Sequence, residues 1–153
     1  MGPNVPTDED FMRQAIALAR RAEQAVEVPV GALLVIGRQV IGEGWNQPIS
    51  THDPTAHAEI IALRAAAMVE RNYRLEAATM YVTLEPCAMC TGAILNARVS
   101  RVVFGAWDRK AGACGSVFDL PREPRLPHRL DVFGGVLSDE CSELLRQFFE
   151  KRR

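Results

Sequence analysis

The stretch Met80-Tyr81-Val82-Thr83-Leu84-Glu85-Pro86-Cys87-Ala88-Met89-Cys90 decides the architecture. Its opening, 80–84, is a short apolar run that reads as a β-strand. Pro86 fits the opening turn of a helix, where its missing N–H costs nothing, so 87–96 is expected to be helical. The run 99–104 is apolar again and reads as a buried strand reached through that helical crossover. Strands alternating with helices predict an α/β sandwich on one mainly mixed sheet.

Upstream, 30–36 is nearly unbroken apolar sequence and reads as a buried strand. Gly37, Arg38 and Gln39 form a turn, and Val40, Ile41 and Trp45 continue a second strand, making a hairpin. A helix is expected over 8–25, capped by Thr7 or Asp8, with Phe11, Ala15, Ile16, Leu18, Ala19 and Ala22 on its apolar stripe. Residues 46–55 read as loop, with Pro48 and Pro54 as breakers. Thr55 is expected to cap a helix over 56–70, which carries Ile60, Ile61, Leu63 and a run of alanines. Downstream, 105–130 is rich in Gly, Pro and Arg and reads as a functional loop with short helical pieces. Residues 131–136 suit a fifth strand, and Ser138 is expected to cap a last amphipathic helix with Leu144, Leu145, Phe148 and Phe149. With no repeat and no linker, 1–153 is read as a single domain.

The composition is that of an ordinary soluble protein: 153 residues, 48% hydrophobic and 24% charged. No apolar run reaches the roughly 18 residues of a membrane span, and the polar, acidic N-terminus lacks the order of a secretory signal. A cytoplasmic protein is expected. Of the four cysteines, Cys114 and Cys141 have no local partner and read as buried apolar residues. Charge is uneven: 1–97 holds 7 basic and 11 acidic side chains, whereas 98–153 holds 11 basic and 8 acidic. The basic excess includes Arg98, Arg101, Arg109, Lys110, Arg122, Arg125, Arg129, Arg146, Lys151, Arg152 and Arg153. Such a surface either binds phosphates or is simply solvated.

Two segments carry chemistry: Thr55-Ala56-His57-Ala58-Glu59 and Pro86-Cys87-Ala88-Met89-Cys90. A lone Cys-x-x-Cys also fits a redox pair or half of a zinc ribbon, but a ribbon needs a second such pair and none occurs. Cys87 and Cys90 stand three apart at a helix start, so both sulfurs leave one face. His57 stands at the start of another helix. If both starts meet at one sheet edge, an imidazole and two thiolates converge, a ligand set that zinc prefers, at about 2.0–2.1 Å to nitrogen and about 2.3 Å to sulfur. Three protein ligands leave a fourth tetrahedral position for water, which marks catalytic rather than structural sites. Glu59 diverges from His57 on a helix and is read as a proton carrier, not a ligand.

These motifs resemble the zinc enzymes of the cytidine deaminase-like superfamily. The wider stretches 52–59, 81–87 and 101–106, with Val28-Pro29-Val30-Gly31-Ala32 and Gly42-Glu43-Gly44-Trp45-Asn46, resemble the bacterial tRNA-specific adenosine deaminases over about 11–149. The resemblance implies a three-layer α/β/α sandwich with a central five-stranded mixed sheet. It implies one Zn2+ per subunit on His57, Cys87 and Cys90, with Glu59 as the proton shuttle, and hydrolysis of adenosine to inosine at the wobble position of a tRNA anticodon. It further implies a homodimer gripping the anticodon stem-loop, with Asn46 hydrogen-bonding the flipped base. Val30, Ala58 and Leu84 would line the pocket, Asp108 would face the ribose and backbone, and Phe149 would stack on a neighbouring base. From the residues alone, an ion pair of Asp108 with Arg109 or Lys110 is the ordinary alternative, and Phe149 equally fits a core stripe. His128 and Trp107 stand where the family pattern departs or varies.

Two other functions share parts of this pattern. A deaminase of a free nucleobase or nucleotide, of guanine or cytosine type, would have the same zinc ligands. A zinc-stabilised subunit that only grips RNA would keep the ligands without needing Glu59, which is present here.

Overall fold

A computed structural model of the chain describes residues 5–152; Met1 to Asn4 of the acidic N-terminal stretch and Arg153 of the basic excess lie outside the described residues. The elements run α1 (Asp8–Gln24), β1 (Gly31–Ile36), β2 (Gln39–Trp45), α2 (Pro48–Thr51), α3 (Ala58–Glu70), β3 (Ala78–Leu84), α4 (Ala88–Asn96), β4 (Arg101–Ala106), a 3-10 turn (Leu120–Arg122), β5 (Asp131–Gly134) and α5 (Ser138–Glu150). The strands form one sheet in the order β2-β1-β3-β4-β5. β1 is antiparallel to β2 and β3, whereas β3, β4 and β5 are mutually parallel, so the sheet is mixed as expected.

Successive residues of a strand point to opposite faces, and here both faces are covered. Ala32, Leu34, Met80, Val82, Val102 and Phe104 pack with Ala58, Ala62, Ala66 and Ile94 of α3 and α4. Leu33, Val35, Tyr81 and Val103 pack with Phe11, Met12 and Ala15 of α1 and with Cys141 and Leu144 of α5. Two-sided burial is why 30–36 reads as unbroken apolar sequence rather than an alternation. Each fully buried Leu or Val here contributes roughly 1.5–3 kcal/mol. Cys114 and Cys141 are buried thiols, as expected. Across the α1 face, the Tyr81 hydroxyl donates to Asp8 (2.6 Å), which also accepts both terminal nitrogens of Arg101 (2.9 and 3.1 Å).

The helix starts are where the sequence reading needs correction. Thr7 caps α1 in a reciprocal capping box with Asp10, as expected. Thr55 caps nothing: its N–H and hydroxyl both donate to Asp53 Oδ1, at 2.8 and 2.7 Å. That local turn competes with helix at Thr55, and α3 begins later, with His57 at the cap position and no side-chain cap. Cys87 likewise occupies the uncapped start of α4. Ser138 is the first helical residue of α5, and Leu137, in the left-handed region at φ 53°, takes the cap position. Within the expected loop 46–55, Pro48 opens the short helix α2 instead of breaking structure, because its fixed φ suits a first turn.

Two features fix the elements that later carry chemistry. β2 and α3 approach so closely that a Cβ on Gly42 would stand 2.5 Å from Ala62 O and 2.6 Å from Ala66 N. A Cβ on Gly44 would meet Ala58 O and stand 2.7 Å from Ala62 N. Glu27, 1% exposed, accepts the N–H groups of Ile49 (3.2 Å) and Ser50 (2.7 Å) and the Ser50 hydroxyl (2.6 Å), tying down α2 just after Asn46. Burial alone would raise the Glu27 carboxyl, but the Ser50 and Ile49 hydrogen bonds outweigh it and hold it below the ordinary value.

Gly44→Ala is expected to destabilise the fold by about 1–3 kcal/mol through overpacking, read as a lowered urea midpoint with unchanged slope. Glu27→Gln is expected to cost about 1.5–3 kcal/mol at pH 7, the range for hydrogen bonds to a charged group. Because the folded carboxyl sits below its unfolded value, this stabilisation is present above the unfolded pKa of about 4.3 and lost as pH falls through the folded one. The gap between wild type and Glu27→Gln should therefore shrink in urea titrations below about pH 4.

Candidate active site

The uncapped starts of α3 and α4 meet. His57 Nδ1 lies 3.4 Å from Cys90 Sγ and 3.6 Å from Cys87 Sγ, and the three donor atoms all fall within 4.8 Å of one another. Zinc bonds of about 2.05 Å to nitrogen and 2.3 Å to sulfur at a tetrahedral angle place N and S about 3.6 Å apart. The donor set and its spacing fit a single zinc ion. Cys90 is fully buried; His57 and Cys87 are half-buried and open onto a cavity.

Electrostatics favours a cation here. The first turns of two helices, with N–H groups no side chain caps, carry partial positive charge that stabilises thiolate. The Cys87 thiol is pulled down to about 4, first by a hydrogen bond from Cys90 and then by His57. The same bond, with burial, pushes Cys90 up. The His57 imidazole is raised, chiefly by its hydrogen bond with Cys87. The opposite shifts of the two thiols come from their mutual hydrogen bond, a crowding of sulfurs that a divalent cation among the three side chains would relieve.

Glu59 sits in the first turn of α3, 4% exposed, within reach of the Cys90 thiol. Burial pushes its carboxyl up to about 7. It faces a cavity of about 240 Å3 whose walls are mostly apolar. That is smaller than the roughly 300–1,000 Å3 of pockets for drug-sized ligands, and it suits one flat ring system. A larger groove of about 350 Å3, lined by Ile60, Leu63, Tyr73 and Ala93, contains none of the metal-binding or acid–base groups.

The cavity collects most of the residues singled out from sequence. Asn46, Val30, Leu84 and Asp108 line it together with His57, Glu59 and Cys87. Asn46 is fixed through its backbone, N–H to Val30 O at 3.0 Å, at the edge of the cavity. Asp108 Oδ1 accepts the N–H groups of Lys110 (3.0 Å) and Ala111 (3.2 Å), and no ion pair with Arg109 or Lys110 occurs among the described residues. Ala58 is buried behind the wall in the α3 core and does not line the cavity. Phe149 lies outside it, 52% exposed on α5 and edge-on to Phe148. Trp107 packs edge-on against Phe104, and His128 Nε2 meets Val99 O at 2.8 Å.

Three lining residues were not read from sequence: Val28, Glu85 and Ala111. Val28 stands two residues before Val30, whose N–H bonds back to Val28 O at 2.9 Å, so a tight turn at Pro29 brings it to the cavity. Glu85 was visible as a lone carboxylate between an apolar strand and a metal ligand. Ala111 gives no sequence signal, since only the path of its loop brings it to the cavity.

Comparison with known proteins agrees with this centre. Residues 5–106 match the family model for the cytidine and deoxycytidylate deaminase zinc-binding region. The tRNA-specific adenosine deaminase of Haemophilus influenzae is 56% identical over 147 residues, covering 95% of this chain and 85% of that one. A solved structure from a study of A-to-I editing by tRNA:A34 deaminases at the wobble position superposes with TM-score 0.86 at 42% identity, over 88% of this chain and 98% of that one. The guanine deaminase of Bacillus subtilis is more distant, with TM-score 0.67 and 31% identity over 95% of each chain. The chain belongs to the zinc-dependent cytidine and deoxycytidylate deaminase family and, within it, groups with the tRNA-specific adenosine deaminases.

Proposed function

We propose that this chain, as a single cytoplasmic domain that pairs into a homodimer, deaminates adenosine to inosine at the wobble position of a tRNA anticodon. The observation that carries the reading is the convergence of His57, Cys87 and Cys90 beside the buried carboxyl of Glu59 in a cavity sized for one base. A zinc ion held by those three side chains supplies the Lewis acidity that brings ionisation of water into the neutral range. Glu59 carries one proton of the attacking water to the ring nitrogen, where it stays as the N–H of inosine, and then carries the second, from the hydroxyl formed on the carbon, to the amine, which leaves as ammonia while the C=O forms. Burial raises the Glu59 carboxyl above the ordinary carboxylate range, which moves it toward the operating pH, where a general acid–base works best.

The remaining residues orient the base. The Asn46 amide hydrogen-bonds the flipped ring, with its segment held by Glu27 through α2. Val30 and Leu84 give the apolar walls that exclude water, and Ala58 backs them from the core. Asp108 keeps Oδ2 for a hydroxyl of the sugar, which favours RNA if that hydroxyl is the 2′-OH.

Support for an RNA substrate comes from charge as well as similarity. Several members of the basic excess are neutralised internally: Arg101 by Asp8, Arg122 by Asp119, Arg125 by Glu123, and Arg146 by Glu143 and Glu150. Arg98, Arg109, Lys110, Arg129, Lys151 and Arg152 make no ion pair among the described residues and are left for phosphates. Phe149 on α5 offers an exposed ring for stacking on a neighbouring base. Exposed Met68, Val69, Tyr73 and Met89, on or just after α3 and on α4, give a surface suited to the partner subunit. Among the described residues, no helix is long and apolar enough to cross a membrane.

Inosine assays on an anticodon stem-loop RNA, run beside free adenosine, guanine and cytosine, are expected to show turnover of the RNA alone. Turnover confined to a free base would replace this reading with the nucleobase deaminase. Glu59→Ala is expected to leave a folded protein with one zinc per chain and at least about 10²-fold less activity, measured by metal analysis and single-turnover kinetics. Near-normal activity would remove Glu59 from the proton path.

A further inference from the structure

Glu85 is 2% exposed and lies between the end of β3 and the ligand Cys87. An ionised carboxylate has about four acceptor positions, and here each oxygen is engaged twice. Oε1 accepts the Asp108 N–H at 3.0 Å and the Ser116 hydroxyl. Oε2 accepts the N–H groups of Cys114 at 3.0 Å and Ser116 at 3.1 Å. All four donors belong to one irregular loop after β4. No cation pairs with Glu85 among the described residues, so these bonds are what offset the cost of burying its charge.

The loop is wound tightly around this carboxylate. Gly112 N–H donates to Asp108 O at 2.9 Å, and a Cβ on Gly112 would collide with the Glu85 carboxyl group. The same winding delivers Asp108 and Ala111 to the cavity. With its acceptor positions filled by the loop, Glu85 has none to spare for a substrate proton, although it borders the cavity.

We propose that Glu85 is a positioning residue that holds the 107–116 loop, and Asp108 with it, as a preformed wall for the sugar and backbone of the substrate strand. This rests on the RNA reading above. The metal ligands and Glu59 stand at or beside the starts of α3 and α4; the loop meets the α4 start through its own backbone, in the Cys87–Gly112 bridge and the Ala113 N–H on Pro86 O at 2.8 Å, contacts that do not involve the Glu85 carboxylate. Loss of the Glu85 clamp should therefore weaken substrate capture more than the chemical step.

Glu85→Gln keeps the shape but turns one acceptor oxygen into an NH2 donor facing other donors. Zinc should remain at one per chain, KM for the stem-loop RNA should rise at least about tenfold, and kcat should change less than about threefold. Amide hydrogen exchange should accelerate across 107–116 while α3 and α4 keep their protection. Ser116→Ala removes one of the clamp's four contacts, the hydroxyl, keeps the backbone N–H, and should raise KM about two- to fivefold; it decides the matter if Glu85→Gln does not fold. Unchanged KM with unchanged exchange overturns the proposal. So does loss of zinc, or a fall in kcat matching that in kcat/KM, since either puts Glu85 in service of the metal centre. Exchange needs no substrate: a wild type inert on the stem-loop would sink the RNA reading, while accelerated or unchanged exchange still decides the clamp.

Discussion

His57 Nδ1 stands 3.4–3.6 Å from two sulfurs that are 30 and 33 residues further along the chain, and the surrounding structure serves that convergence. Bringing an imidazole, two thiols and a carboxyl together in a largely dry place is unfavourable unless something holds them. The scaffold does so from two directions. α3 is pressed onto β2 through Gly42 and Gly44, which leaves its first turn little freedom. α4 begins directly after β3 and leads on to parallel β4, so Cys87 and Cys90 are carried on the shortest crossover of the sheet. A cation bound among them then relieves the crowding.

Sequence reveals such a centre because its chemistry is encoded in residue type and spacing. The His57, Cys87 and Cys90 cluster, the position of Glu59 beside it, the two-sided burial of β1 and the five strands could all be read from pattern. The positions of the helix starts could not. Thr55 has the composition of a cap, yet Asp53 two residues earlier captures its hydroxyl, a competition that short-range propensity does not rank. Pro48 reads equally as a breaker or as a first helical residue, and the buried Glu27 decides between them by capturing the next two N–H groups. Phe149 illustrates the same limit at long range: its stripe predicts burial, but α5 turns Leu144 and Phe148 inward and leaves this ring outside.

Glu27 and Glu85 share a logic. Each is a buried carboxylate without a cation among the described residues, and each gathers N–H groups from an irregular segment beside the cavity. Regular elements satisfy their own backbone; loops must find acceptors elsewhere. Placing those acceptors on fixed ends of secondary structure gives an irregular wall the definition a binding site needs.

The tight seam between β2 and α3 has a bearing on how this fold diversifies. It is made almost entirely from residues with little or no side chain, so a larger residue there would push α3, and the reacting centre at its start, away from the sheet. The cavity rim is made of connections whose length and composition are free to change. Descendants of one ancestor can therefore exchange one nitrogenous ring for another by altering their rims, while the apparatus that removes the amine stays the same.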